Sequence, residues 1–580
     1  MERKVYEFIS KQTSDPIVER RTCKVSGEPF AIFQSDLDFY EKVSPIYGGK
    51  KFQIPVPHIC YEERRRAREV FMNIKSLFKS TCAKTGKPIV TIYNPEFHKT
   101  IYSGQERRSD RRNPMDYGFD VDLNQSFFSQ YKKLYDTVPK IAMVNDNGIS
   151  SENCEFNQDV EYSKDCYMNA VCRKMRNCHY SVNMSTNEDM VDSFFTMESE
   201  IGYECLNSYK IFKGFFIRNS NECTNCLRGY DLAGCQDCMF CVGLRGKQYM
   251  IWNKQYTKAE YEIQKQKIYE KMNSNIQELH DQFEIFLTTF PHKAINTMNC
   301  HNTYGQNLVN WEKSVFCANI KNFRDTKYMF FGWDTVEDAQ DLTIWGQLKL
   351  CYQGIVPDFS HQACFTIFCR SCTKVWYSEM CHHCQDCFSC IGLKNKQYCI
   401  FNKQYTKAEY EKTVAHLIKK MQTDGERGEW FPKEFSPFAY NESFAHFYDQ
   451  ATEQDALKLW YLRRPRKMEV DIPEGMWVLD PSLNPNEIDE KMIANNAIIC
   501  EISKRPFRII PNELLFYQKH HLPLPRKHPD IRFQERLEKI SIGSFCSRTC
   551  DKCWIEMLSV YPSESEFKVY CEACYNKEIY

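Results

Sequence analysis

The clearest chemistry in this chain lies at its C-terminal end, where Cys550-Asp-Lys-Cys553 is followed by Cys571-Glu-Ala-Cys574. Two short cysteine pairs on separate knuckles can bring four thiolates to one tetrahedral zinc ion. A closed four-thiolate site leaves no position for substrate. The Zn2+ expected on Cys550, Cys553, Cys571 and Cys574 is therefore a structural staple that supplies folding energy, not a reaction centre. The competing reading is four plain core thiols. The residues between the pairs, LSVYPSESEFKVY among them, predict two short strands around a turn, as a zinc ribbon needs.

The same module opens the chain. Cys23, Ser26, Pro29-Phe30 and Ile32 recur as Cys500, Ser503, Pro506-Phe507 and Ile509, an offset of 477. Nine extra residues in the first copy then reduce the offset to 468, where Arg64 and Arg68 face Arg532 and Arg536. At that offset the four C-terminal cysteines are matched by Cys82, Thr85, Ser103 and Glu106. One thiolate cannot replace four, so the first copy is expected to keep the ribbon fold without metal. Cys23 with Cys60, and Cys500 with His528, offer a second two-ligand set in each copy. That is short of a site unless His520 or His521 swings in, and a buried thiol beside a surface histidine is the simpler reading.

Two cysteine ladders stand between the modules. CQDCMFCVGLRGKQYMIWNKQYTKAEY at 235–261 returns as CQDCFSCIGLKNKQYCIFNKQYTKAEY at 384–410, an offset of 149 without a gap. Upstream, Cys166, Cys172 and Cys178 are six apart, and Cys205, Cys223, Cys235 and Cys241 are separated from one another by eighteen, twelve and six. This period predicts β-solenoid repeats whose stacked inward positions take cysteine as a small hydrophobe. Many of these thiols are Leu, Ile, Phe or Trp in the second copy, which fits packing and not ligation. Cys235, Cys238, Cys241 and Cys381, Cys384, Cys387, Cys390 carry a spacing also found in iron–sulfur proteins. In an extended strand that spacing sends successive thiols to opposite faces, so a cysteine-lined final rung is favoured over a zinc or cluster site. Each ladder runs into YTKAEY, where Thr257 with Glu260, and Thr406 with Glu409, form a capping box. The helices they start, reaching about 284 and ending near Gly425, are expected to cap the ladder ends.

Charge is the remaining chemistry. Ala67, Val70, Phe71, Ile74 and Leu77 predict a helix over 62–81 that leaves Arg64, Arg65 and Arg68 on the surface. With Arg532 and Arg536 these are candidate nucleic-acid contacts, joined by basic runs at 105–112 and 463–467. Against this, 76 acidic and 76 basic residues balance over 580, and isolated basic runs are commonly solvated faces. A further helix is predicted over 121–140, docked by Phe127, Phe128, Tyr131 and Leu134 and ended before Pro139. There is no apolar leader and no eighteen-residue apolar run, so a cytoplasmic protein away from membranes is expected, its 30 cysteines reduced rather than disulfide-linked.

With these strings in hand, the chain resembles a family of uncharacterised cysteine-rich zinc-ribbon proteins of candidate phyla radiation (patescibacterial) bacteria. The resemblance rests on the two KQYTKAEY blocks, SPFAYNE at Ser436–Glu442, PFRIIPNELLFYQK at Pro506–Lys519, LPLPRKHPD after it, and KVYCEACYNKEIY at Lys568–Tyr580. It covers nearly the whole chain and implies a zinc ribbon but no activity. Relatives carry fuller N-terminal cysteine pairs, from which Ser26, Glu63, Thr85, Ser103 and Glu106 depart.

The expected fold is mixed α+β and multidomain: duplicated β-solenoid-like cysteine-rich repeats with capping helices, flanked by two related zinc-ribbon-like modules, the first degenerate. The expected boundaries are a degenerate module at 1–115, a connector at 116–150, a first repeat at 151–255 and its helix at 256–293. A second repeat follows at 294–404, a helix and connector at 405–498, and the zinc-ribbon module at 499–580. The residues favour a non-enzymatic scaffold that presents a long surface to a macromolecular partner, a protein before an RNA. RNA or ribosome binding through the end modules is the alternative. An enzyme whose site only folding assembles is the third reading, because no nucleophile–base pair, phosphate loop or carboxylate–histidine motif is legible.

Overall fold

From Asn153 to Trp252 every third residue has a positive φ, between 48° and 65°, and only three of these positions, 234, 243 and 246, are glycine. A left-handed residue turns the chain, and the two residues between turns stay extended. The strands therefore pair in parallel with the segment twelve residues on, as in Cys154↔Cys166, Cys172↔Met184, Thr224↔Gln236 and Gln236↔Gln248. Left-handed geometry costs a non-glycine residue about 1–2 kcal/mol, which the continuous parallel hydrogen bonding must offset. The computed structural model describes the chain apart from residues 110–111, 145–149, 313, 325–326, 334–335, 344–347, 357, 450–452, 460, 465–471, 473, 541–543 and 580. Its architecture is mixed α+β, with two large, mainly parallel sheets and several small ones.

The three-residue period decides where the thiols point. Cys154, Val160, Cys166, Cys172, Met184 and Met190 share one buried cluster with Cys235, Cys238 and Cys241. The expectation that such spacing alternates faces is thus corrected: a turn at every third residue sends each of these side chains inward. Cysteine and serine do the same work there. The Ser163 hydroxyl donates to the Glu161 carbonyl (2.8 Å), and the Cys166 thiol donates to the Lys164 carbonyl (3.3 Å). Buried asparagines satisfy the turn amides, Asn157 Oδ1 accepting from Asn169 N (2.7 Å) and Asn169 Oδ1 from Ser181 N (2.8 Å).

The second ladder runs from Thr297–His301 to Gln397–Ile400. Its register slips by one residue twice, at Thr297↔Leu308 and at Lys327↔Gln340, and otherwise keeps the twelve-residue step over most of its length. The final edge of each ladder is covered by a short antiparallel strand, Lys254–Gln255 or Lys403–Gln404. The helices behind the capping boxes, Lys258–Thr288 and Lys407–Thr423, start against the last rungs, where Tyr261 meets Tyr249 (5.5 Å) and Tyr410 meets Tyr398 (5.8 Å). The first lies along a flank, where Phe216, Arg228, Phe240 and Trp252, twelve apart, meet His280, Glu284, Phe283 and Phe286.

The terminal modules match element for element. Helices Gln34–Val43 and Tyr61–Glu69 correspond to Pro511–His520 and Pro529–Glu538. The hairpin Phe78–Thr81/Pro88–Thr91 corresponds to Cys546–Thr549/Glu556–Ser559. Their docking is crossed. Tyr40 of the first module meets Tyr352 of the second ladder edge-on (5.1 Å between ring centres), and Tyr517 of the last module meets Tyr203 of the first ladder (5.7 Å).

Local expectations fared unevenly. The helix expected over 62–81 ends at Glu69, because Asn73 folds the chain back: its Oδ1 accepts from Ser76 N (2.8 Å) and its Nδ2 donates to the Ile92 carbonyl (2.8 Å). The helix expected over 121–140 runs Phe127–Thr137, capped by Ser126. The strands between the C-terminal cysteine pairs, Glu556–Ser559 and Val569–Tyr570, do not pair with each other. They join Cys546–Thr549 and His292–Lys293 instead. Among the described residues no helix is long and apolar enough to cross a membrane.

Candidate metal centre

Cys550 and Cys553 stand on the turn after strand Cys546–Thr549, and Cys571 and Cys574 open the helix Glu572–Ile579. Their four sulfurs lie within 4.8 Å of one another, and Cys553 Sγ is 3.7 Å from Cys571 Sγ. Four thiolates at zinc–sulfur distances of about 2.3 Å put sulfurs about 3.8 Å apart, so the set fits a tetrahedral ion. Among the described residues this is the one group of three or more such ligands placed to hold a metal. Cys550 is buried and Cys553 is exposed, so the site sits at the surface of the module. Burial pushes the Cys550 thiol up, but amide donors, first Cys571 N (3.2 Å to Sγ), outweigh it and hold the thiol at about 6. Such a thiol is ready to give up its proton to a cation. The four residues would hold the metal; what it would supply is a cross-link between hairpin and helix.

The first module keeps the scaffold of this site without its ligands. Cys82 Sγ accepts from Ser103 N at 3.3 Å, the bond that Cys550 Sγ receives from Cys571 N. Ser103 instead caps the short helix Gly104–Arg108 by accepting from Glu106 N (3.3 Å). In place of metal, Tyr93 is stacked between Phe97 (4.8 Å) and Phe438 (5.6 Å). The weaker candidate pairs do not form a site. Cys23 Sγ accepts from Cys60 N (3.4 Å), and this thiol pair drives Cys23 down to about 4 and Cys60 up. His528 caps a helix, its Nδ1 accepting from Asp530 N (3.1 Å), and His520 is packed against Phe516 (4.7 Å). The ladder thiols form no ligand cluster among the described residues, and burial pushes Cys205 and Cys351 up to about 12.

The arginines expected to meet phosphate are turned inward. Arg64 donates from Nε to Asp341 (2.7 Å), and Arg68, fully buried, faces the same carboxylate at 3.6 Å. Arg532 and Arg536 close on Asp192, the latter at 2.9 Å, and Glu513 backs Arg532 at 3.4 Å. Arg65 pairs with Glu69 at 3.8 Å. Their helices are docked on the ladders, which is why these five side chains are committed to internal carboxylates and not offered to a nucleic acid. Of the run at 463–467, residues 465–467 lie outside the described residues. Sequence reasoning missed Asp192 and Asp341. They stand 149 apart, the ladder offset, while the arginine pairs stand 468 apart, the module offset, so both halves of the relation were present as duplicated positions.

Comparison of the chain with protein-family models, with curated proteins and with solved structures gives no match in any of the three.

Proposed function

We propose that this protein is a non-enzymatic scaffold. In this reading two β-solenoids of twelve-residue turns form a long platform, two related end modules clamp them crosswise, and Zn2+ in a ribbon-type site staples the last module. The observation that carries it is the reciprocal clamp: Arg64 and Arg68 on Asp341, Arg532 and Arg536 on Asp192. A buried pair that joins elements hundreds of residues apart fixes their arrangement, and breaking it leaves a charge uncompensated. The closed thiolate set supports the same conclusion, since it offers a metal no open coordination position. A rigid, elongated surface of this sort serves partner binding, and a protein partner in the cytoplasm is the reading we adopt. Cross-linked, nuclease-treated extracts tested by affinity capture should return one partner in stoichiometric amount at high salt. Recovery of chaperones alone, or of a partner lost on nuclease treatment, contradicts this reading.

A further inference from the structure

A cleft of about 1160 Å³ opens between the two ladders and the end of the first module. Seven Arg and Lys side chains line it against three Asp and Glu. Two of the acids are spent: Glu161 and Asp358 pair with Arg173 (3.3 and 2.7 Å) and with Arg370. The remaining charge is best understood through the matching place in the other half of the molecule.

There, Tyr575 donates its hydroxyl hydrogen to Asp231, and the same carboxylate pairs with Arg245 at 2.7 Å. The terminal helix Glu572–Ile579 fills the space, with Ile579 against Gly243. The ladder offset carries Asp231 to Met380, Arg245 to Lys394 and Gly243 to Gly392, while the module offset carries Tyr575 to Arg107. Asn253 and Asn402 confirm the match by identical bonds, accepting from Val242 N (2.9 Å) and Ile391 N (2.8 Å).

In the cleft half, then, the carboxylate is gone, its cation is kept and a second cation is added. Arg107 lies with its guanidinium against Gly392, whose lack of a side chain makes the room, and its Nε donates to the Pro139 carbonyl (2.9 Å). Arg107 and Lys394 make no ion pair among the described residues. Nε and Nη2 of Arg112, on the same wall, are buried with no hydrogen-bond partner among the described residues. Burial, and then the charge of Arg112, pull Arg107 down to about 10. The helix Gly104–Arg108 matches only the first five residues of Glu572–Ile579, and His382 and His383 stand where the other ladder has Ala233 and Gly234. Tyr162 and Phe359 are exposed on the cleft wall, 54% and 39%.

We propose that this cleft binds a nucleoside di- or triphosphate, its phosphates taking the place of the missing carboxylate between Arg107, Lys394 and Arg112 and its base lying against Phe359 and Tyr162. Guanidinium groups match phosphate oxygens in geometry and charge, and exposed aromatic rings stack on any base. The cleft is also far larger than a lone phosphate needs.

The test is calorimetric titration of the full-length protein with ADP, pyrophosphate and adenosine separately. ADP should bind saturably, with pyrophosphate weaker and adenosine weakest. Arg107→Gln should weaken ADP by about tenfold or more, as should Lys394→Gln, which alters an exposed residue and should leave folding intact. Met380→Asp, which restores the counterpart of Asp231, should abolish ADP binding without lowering the unfolding midpoint. Phe359→Ala should weaken ADP but not pyrophosphate. Absence of saturable ADP binding, equal ADP affinity in all the charge variants, or pyrophosphate binding as tight as ADP would each overturn the proposal.

Discussion

Asp192 and Asp341 occupy equivalent places in the two ladders, and each receives an Arg-x3-Arg pair from the end module that is more distant in the chain. Both carboxylates are fully buried. The crossed docking therefore rests on two copies of one electrostatic joint, and the first consequence concerns its strength.

Removing one partner of a buried pair costs about 3–5 kcal/mol, because the other charge stays behind. Asp192→Ala is expected to lower stability by that amount, and Asp341→Ala likewise, in urea-induced unfolding. Replacing Asp192, Glu513, Arg532 and Arg536 together by apolar residues of similar size should recover most of the loss. A loss below about 1 kcal/mol, the range of exposed pairs, would show that the joint is not buried in solution.

Acid should unfold the protein through its histidines. Burial pushes His179, His292, His382, His520 and His528 from their ordinary 6.5 down to about 4. A base depressed on folding contributes stability that is present above its unfolded pKa and is lost as pH falls toward the folded value. The window is thus pH 6.5 to 4. His179 is 1% exposed, and both its ring nitrogens lack partners among the described residues. It alone accounts for about 3 kcal/mol across that window. Equilibrium unfolding at stepped pH should show the slope, and His179→Leu should reduce it by one histidine's share.

Thiol accessibility separates the two classes of cysteine. Of the 30, 25 are buried, and the exceptions are Cys300, Cys546, Cys553, Cys571 and Cys574. Iodoacetamide on the native protein, not treated with chelator and read by mass spectrometry, should label within those five. The ladder cysteines should react only after denaturation. Rapid labelling of Cys172 or Cys387 in the native state would mean that the ladders do not hold their thiols inward.

The four-cysteine cluster was legible because two CxxC pairs fix their own local geometry, whatever the rest of the chain does. The ladders were half legible. Their six-residue spacing was visible, but the three-residue period was hidden because Val160, Met175, Asn157 and Ser163 share the inward face with cysteine. The orientation of Arg64 and Arg68 was not legible, since a surface stripe and a docked stripe share one helical period. Only the partner Asp341, 277 residues from Arg64, distinguishes them. The cleft was invisible for the same reason. It is made by a lost carboxylate at Met380 and a short helix at Gly104–Arg108, neither of which forms a motif.

The most direct test of the stapled-scaffold account is the metal content of anaerobically purified protein. It should be determined by elemental analysis for the wild type, Cys550→Ser, Cys82→Ser and Cys235→Ser. One zinc per chain is expected, lost in Cys550→Ser and kept in both other variants, with unfolding of the last module following zinc removal. Zinc retained in Cys550→Ser, or any metal that disappears with Cys235→Ser, would contradict the account and place ligation in the ladders.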